Sequence, residues 1–383
     1  MHTRGAAALL PLLLALMPLL QPGARAAGEK HAIAEGVSGH ENLFGAGTPG
    51  GAACHRIPAL GVAPNGDIIA AVDERVDGCD DLRSNRDINI VARRSADNGA
   101  TWSPVERVVD FEAGVSASDP SMITDRVTGE VLLFYNHMDH NREPGVYHLH
   151  TVRSRDNGAT WGAPEDITAR ITKARWRKDF QFITSGNGIQ TRSGVLLHTL
   201  VNLRRGLHLF GSNDHGRTWF LADTPLKPGD ESRVVELADG GWMVNSRVAG
   251  KGMRHVHTSA DGGKTWTSRP EPALPDPGCN AGLIRLTSRS EGHDKDRLLF
   301  SNANSRESRE NLTVRVSYDE GATWTAGKTV YAGPAAYSSL AALKNGEIGL
   351  FFEKDDYTEN VFVRFSLEWL TDGKDRLAPP KPQ

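Results

Sequence analysis

Three scarcities narrow the reading of this 383-residue chain before any motif is considered. It has only three cysteines, Cys54, Cys79 and Cys279, and their spacing fits no zinc-ligand pattern. In an exported protein two of them can pair, and the odd one is then free or bonded to another chain. The spacing does not say which. Excess basic charge is also missing. The formal net charge is −3, so no global basic field points to nucleic acid or an anionic membrane as partner. Helical periodicity is hard to find anywhere, and beyond residues 6–20 no segment approaches transmembrane length.

That apolar run belongs to a leader. Arg4 supplies a positive start, Pro11 and Pro18 interrupt the run, and Ala24-Arg25-Ala26 is a cleavage site of the A-x-A kind. The expected mature chain is residues 27–383, secreted or periplasmic, with no membrane insertion after cleavage. No cysteine follows the run to carry a lipid. Loss of Arg4 and Arg25 takes two positive charges from −3 and leaves −5.

What is abundant is glycine, at 40 residues, and a repeat. Residues 95–102, 154–161, 212–219, 259–266 and 317–324 all read S-x-D-x-G-x-T-W. The chemistry is that of a turn. Asp97, Asp156, Asp214, Asp261 and Asp319 accept hydrogen bonds from turn amides, and glycine supplies a backbone shape that a side chain would obstruct. Thr-Trp then opens the next strand, with the indole available for packing. The box is structural, and no catalysis is assigned to it.

Around each box the grammar repeats. The turn Pro64-Asn65-Gly66-Asp67 leads into an apolar strand over 68–72, a second strand follows over 88–94, then the box, then another strand. The order recurs from Glu130, Gly194, Gly241 and Arg297. A sixth copy without a box has strands over 348–353 and 361–367. Six four-stranded units predict an all-β, six-bladed β-propeller filling residues 27–383, with the five boxes on the face opposite the site.

Function must come from residues outside the boxes. His55-Arg56-Ile57-Pro58 resembles the aromatic-Arg-Ile-Pro signature of sialidase domains, with His55 departing from it. Glu231 precedes Arg247 by sixteen residues; Arg309 precedes Tyr337 by twenty-eight, and Glu353 follows Tyr337 by sixteen. Asp81 follows Arg75 by six. Types, order and spacings together resemble the exo-α-sialidase family with Asp-box repeats, from about Arg56 to Trp369.

The resemblance implies the roles. Arg56, Arg247 and Arg309 form a triad for the sialic acid carboxylate, a task that suits bidentate, permanently charged guanidiniums. Glu353 fixes Arg56. Tyr337 is the nucleophile and Glu231 its base, because a neutral phenol avoids the repulsion that a carboxylate meets at an anionic anomeric centre. Asp81 is the acid/base. Arg75 is placed on the glycerol or carboxylate side, and Asp119 facing the N-acyl group. Glu236, Asp80, Arg306 and Arg315 are rivals of Glu231, Asp81 and Arg309 by type and position. His137, His140, His148 and His150 read as structural or rim residues, since no carboxylate spacing makes them a metal site. The chemistry requires no cofactor. Sialylated glycoconjugates are the implied partners, cleaved with retention. The alternatives are a trans-sialidase, a glycosidase for a related nonulosonic acid, or a non-catalytic glycan-binding propeller.

Overall fold

Strands such as Ile68–Arg75 and Leu196–Asn202 are buried along their whole length. An apolar run buried on both faces needs a sheet packed on each side of it. The computed structural model meets that need by arranging short antiparallel sheets radially, and it describes residues 31–378. The leader expected at residues 1–26 lies outside the described residues.

Six blades result. Blade 1 comprises Cys54–Val62, Ile68–Arg75, Ile88–Ser95 and Glu106–Val109. Blade 2 comprises Val115–Thr124, Val131–Asp139, His148–Ser154 and Glu165–Asp166. In blade 3 the innermost strand is broken: Gln181–Ile183 and Ile189–Gln190 both pair with Leu196–Asn202. Between them, Gly186–Asn187 pairs in parallel with the inner strand of blade 2. Blade 4 runs from Ser232–Glu236 to Thr267–Pro275. Blades 5 and 6 share the fifteen-residue strand Lys328–Ala342, whose first half pairs with Glu310–Ser317 and second half with Ile348–Lys354.

The apolar core lies in layers between neighbouring blades. Ala59, Ile69 and Ile90 of blade 1, for example, pack with Met122, Leu133 and Tyr135 of blade 2. Each such side chain contributes about 1.5–3 kcal/mol by leaving water. The ring is closed by Ser38–Gly45, which joins blade 6 as its outer strand against Glu359–Phe365. The sixth copy therefore borrows a strand from the other end of the chain. Its last strand ends at Phe365 rather than 367, because Ser366 accepts a hydrogen bond from the Trp369 amide (3.0 Å) and caps a short helix, Leu367–Leu370.

All five boxes make the same bonds. In the first, Ser95 Oγ donates to Asp97 (2.8 Å), Gly99 N donates to Ser95 Oγ (2.8 Å), and Thr101 donates its amide (2.8 Å) and hydroxyl (2.6 Å) to Asp97. These donors hold the Asp97 carboxyl down at about 2. Gly99 (φ +82°) also lies so close to blade 6 that a Cβ there would sit 2.3 Å from Phe362. Strands alternate in direction, so the box turns between third and fourth strands fall at the end opposite the loops between second and third. The site lies at the latter end, with Asp81, Arg247 and Arg309 in such loops and Arg56, Tyr337 and Glu353 on the adjoining strands.

Candidate active site

Two hairpins explain the repeated sixteen-residue spacing. In blade 4, Ser232 pairs with Ser246, and the ladder continues outward as the Arg247 amide donates to the Glu231 carbonyl (3.0 Å). In blade 6, Ser338 pairs with Phe352, which sets Tyr337 beside Glu353. Each spacing is one strand, one turn and one strand, with both residues emerging at the same end.

Three inner strands also break register at this level, between Arg56 and Ala59, between Ser118 and Ser121, and between Ala335 and Ser338. A bulge re-aims side chains locally. At the first two, Ile57 (φ 67°) and Asp119 (φ 63°) adopt positive φ just before Pro58 and Pro120. For a β-branched residue such as Ile57 that backbone is strained.

Tyr337 is the centre of the arrangement. Its hydroxyl donates to Glu231 Oε2 (2.8 Å) and accepts from Arg247 Nη1 (3.1 Å), while Arg247 also bonds Glu231. The guanidiniums of Arg56 and Arg309 lie 5.6 and 5.4 Å from its ring centroid. Burial, and then the Glu231 charge, raise the Tyr337 phenol well above its usual range, against the opposing pull of Arg247. The phenol is therefore neutral in the resting site and directed at a carboxylate.

The arginines are held differently. Arg56 donates through Nε to Glu353 Oε1 (3.0 Å) and through Nη2 to Oε2 (3.4 Å). Glu353 is fully buried and also accepts the amides of Ile57 (2.9 Å) and Tyr337 (3.1 Å). Burial disfavours the charge on Arg56 and Arg247, yet Glu353 and Glu231 more than offset it and hold both firmly protonated. Arg309 instead bonds neutral groups, the Tyr357 hydroxyl (3.1 Å) and the Gly278 carbonyl (3.4 Å). Its positive charge is available to an anion.

Asp81 lines a cavity of about 200 Å³ together with Tyr337, Glu231, Arg247 and Asp119. Its side chain is 79% exposed and reaches Arg75 Nη1 (2.8 Å) and Arg56 Nη1 (3.7 Å). Phe180, Phe182 and Leu203 give the same cavity an apolar side. Asp119 is held by Asn136 (3.0 Å) and by its own amide donating to Asp73 (2.8 Å). Burial, then the Asp73 charge, push the Asp119 carboxyl well above its usual range. No box tryptophan lines this cavity.

The rivals fall elsewhere. Glu236 lines a second cavity, of about 460 Å³, at the opposite end of the strand from Glu231 and bonds the Arg192 amide (2.8 Å). Asp80 is exposed and outside the site cavity. Arg306 is exposed and donates to the Gly252 carbonyl, and Arg315 donates to Asn304. One placement differs from expectation. Arg75 is fully buried behind Asp81, donating to Asp73 (3.0 and 3.2 Å) and the Cys79 carbonyl (2.6 Å). It contacts Asp81 from behind and does not itself line the cavity, whereas the sequence reading places it beside the substrate.

The structure adds residues the sequence did not single out. Tyr357 stacks on Arg56, 4.0 Å from its guanidinium carbon to the ring centroid, and bonds Arg309, so one ring links two arginines. Its only signal was position, four residues past Glu353 in a D-D-Y-T turn. Asp73, fully buried between Arg75, Ser118 and Asp119, ties blade 1 to blade 2. Cys54 and Cys79 are disulfide-bonded, which joins the strand of Arg56 to the loop of Asp81; Cys279 is free and buried.

The chain is thus an Asp-box propeller of six blades, one end of which brings a tyrosine–glutamate pair among arginines. Residues 80–350 match the family described as the BNR repeat-like domain, and the chain belongs to that family. Its relatives carry one theme. It is 36% identical over 343 residues to a sialidase of Micromonospora viridifaciens, across 82% of this chain and 52% of that protein. It is 29% identical over 330 residues to a sialidase of Bacteroides fragilis, across 79% and 60%. The chain thus spans between about half and three-fifths of the length of these two relatives. An exo-alpha-sialidase of Aspergillus fumigatus matches at 28% identity over 83% of this chain and 85% of its own. Among solved structures, a Hadza microbial sialidase superimposes with a TM-score of 0.76 at 28% identity, over 84% of this chain and 67% of that one. A leech intramolecular trans-sialidase does so with a TM-score of 0.74 at 21% identity, a likeness of fold alone.

Proposed function

We propose that the chain is an exo-α-sialidase, hydrolysing terminal α-ketosidic sialic acids of glycoconjugates with net retention. The observation that carries this reading is Tyr337. A phenol kept neutral by burial, hydrogen-bonded to a carboxylate and surrounded by three guanidiniums, suits attack at an anomeric carbon that bears its own carboxylate.

The substrate carboxylate binds among Arg56, Arg247 and Arg309, with Arg309, which bonds the neutral Tyr357 hydroxyl and Gly278 carbonyl in the resting site, supplying its charge. Tyr337 Oη attacks the anomeric carbon as its proton passes to Glu231. The glycosidic C–O bond breaks, and the leaving oxygen takes a proton from Asp81, which lines the same cavity. In the second half, water gives a proton to Asp81 and its oxygen attacks the same carbon. Tyr337 departs and recovers its proton from Glu231. Two displacements on one carbon return the original configuration.

Arg75 and Asp73 act as positioning residues for Asp81, and Asp119 faces the N-acyl side of the ligand. The leader at residues 1–26 and the Cys54–Cys79 disulfide support export to an oxidising compartment. The test is direct: the purified chain is assayed with a fluorogenic aryl sialoside and with sialyl-lactose. Release of free sialic acid from both is expected. A folded protein that turns over neither would leave a glycan-binding propeller in place of the enzyme.

A further inference from the structure

A second cluster of chemically capable side chains lies on blade 2, outside the arginine-lined site. Alternation along a strand sends residues two apart to one face, and direct pairing aligns that face across strands. In blade 2, Tyr135 pairs with His150 and His137 with His148, while His150 pairs on its other side with Asp166. Two imidazoles and a carboxylate therefore converge. His148 Nδ1 lies 3.4 Å from Asp166 Oδ2, and His150 Nε2 lies 3.9 Å from the same oxygen. Donor atoms of His148, His150 and Asp166 all lie within 4.8 Å of one another. Sequence spacing offered these histidines no carboxylate; strand pairing brings one from sixteen residues beyond His150.

From this geometry we infer that His148, His150 and Asp166 form a binding site for a transition-metal dication of the zinc type. Around a four-coordinate ion with bonds of about 2.0–2.1 Å, ligand atoms sit about 3.3 Å apart. The two distances to Asp166, 3.4 and 3.9 Å, are close to that, and the imidazole pair, within 4.8 Å, has to close by at most about 1.5 Å, a side-chain adjustment. Two nitrogens and one oxygen favour zinc and its neighbours over calcium or magnesium, which take all-oxygen sets. The Asp166 side chain is 49% exposed, which gives the ion an entry path and a fourth position for water.

The surroundings match what orients metal-binding imidazoles. His148 has its other nitrogen, Nε2, 3.0 Å from Glu143 Oε2, the carboxylate–histidine contact that fixes tautomer and ring orientation in metal sites. His150 Nδ1 is 3.2 Å from the Tyr135 hydroxyl, and the ring of His137 stacks on it with centroids 4.5 Å apart. Its Nε2 is buried with no hydrogen-bond partner among the described residues. A metal ion at that nitrogen satisfies it. One positive charge would remain after Asp166 binds the dication, and Glu143 lies beside His148 to balance it. Glu143 belongs to the loop that leads to Tyr147 on the wall of the 200 Å³ cavity, so the ion would fasten that loop.

The test uses the whole chain without a polyhistidine tag, stripped with chelator and titrated calorimetrically with ZnCl₂ and separately with CaCl₂. One equivalent of zinc is expected and no heat from calcium. His148→Gln and His150→Ala should each weaken binding more than about 100-fold. Glu143→Gln should keep one equivalent and weaken it about 10- to 100-fold. If His150→Ala fails to fold by circular dichroism, His148→Gln and Glu143→Gln decide the matter, since both side chains are partly exposed. Cobalt substitution should give the visible bands of a nitrogen-ligated site in the wild type and not in His148→Gln. No zinc heat in the wild type, unchanged affinity in His148→Gln, or preference for calcium would each overturn the assignment.

Discussion

Replacing Glu353 by glutamine removes one charge and turns one acceptor oxygen into a donor while leaving volume almost unchanged. In the wild type each carboxylate oxygen accepts two bonds: Oε1 from Arg56 Nε and the Ile57 amide, Oε2 from Arg56 Nη2 and the Tyr337 amide. Whichever way a glutamine turns, its NH₂ faces two donors. Breaking a buried ion pair from one side costs about 3–5 kcal/mol, a large part of the 5–15 kcal/mol that typically separates folded from unfolded states. At about 2 °C per kcal/mol for a chain of this size, Tm should fall by about 6–10 °C. Arg56 would also lose its orientation toward the substrate carboxylate. A charge-assisted contact of this kind is worth about 1.5–3 kcal/mol, so kcat/KM should drop about 10- to 150-fold. Differential scanning fluorimetry and the fluorogenic sialoside assay read the two effects. Glu236→Gln, at the other end of its blade, is the control and should move neither by much. If Glu353→Gln melted within about 1 °C of wild type with unchanged kinetics, the account of Arg56 would be wrong.

Arg309→Lys keeps the charge but loses the planar fork that bonds Tyr357 and would bind the substrate carboxylate, so sialoside turnover should fall by orders of magnitude; near-normal kinetics would remove Arg309 from the triad. Asp81→Asn should damage cleavage of sialyl-lactose far more than that of an activated aryl sialoside, because only the poor leaving group needs a proton. Asp80→Asn should affect both little, and the reverse pattern would exchange the two aspartates. Cys279 is fully buried, with its thiol pushed up to about 12 by that burial, so a thiol reagent at neutral pH should find no reactive group until denaturant is added. Rapid titration of a native thiol would contradict that.

Much of the fold was legible because the boxes are turn chemistry, and turn chemistry is local. Asp97 bonds residues within four positions of itself, which any sequence window contains. The closing strand was not legible. Ser38–Gly45 carries no box and pairs with residues more than three hundred positions away. Tyr337, Glu231, Arg247 and Glu353 were singled out by their resemblance to the sialidase family, and hairpin register explains why such spacings are fixed. Arg75 was readable as an arginine near the site but not as a buried one, since burial depends on Asp73 and the loop of Asp81 folding over it. The carboxylate partners of the blade 2 histidines escaped for the same reason: Asp166 meets His150 only through strand pairing.

Attack of Tyr337 on the anomeric carbon is open to covalent trapping. A fluorinated sialoside that slows the second displacement should leave one glycosyl group on the protein, seen as a single mass increment. Peptide mapping should place that group on Tyr337, and Tyr337→Phe, folded normally, should neither label nor turn over substrate. A label on another residue, or full activity in Tyr337→Phe, would contradict the account.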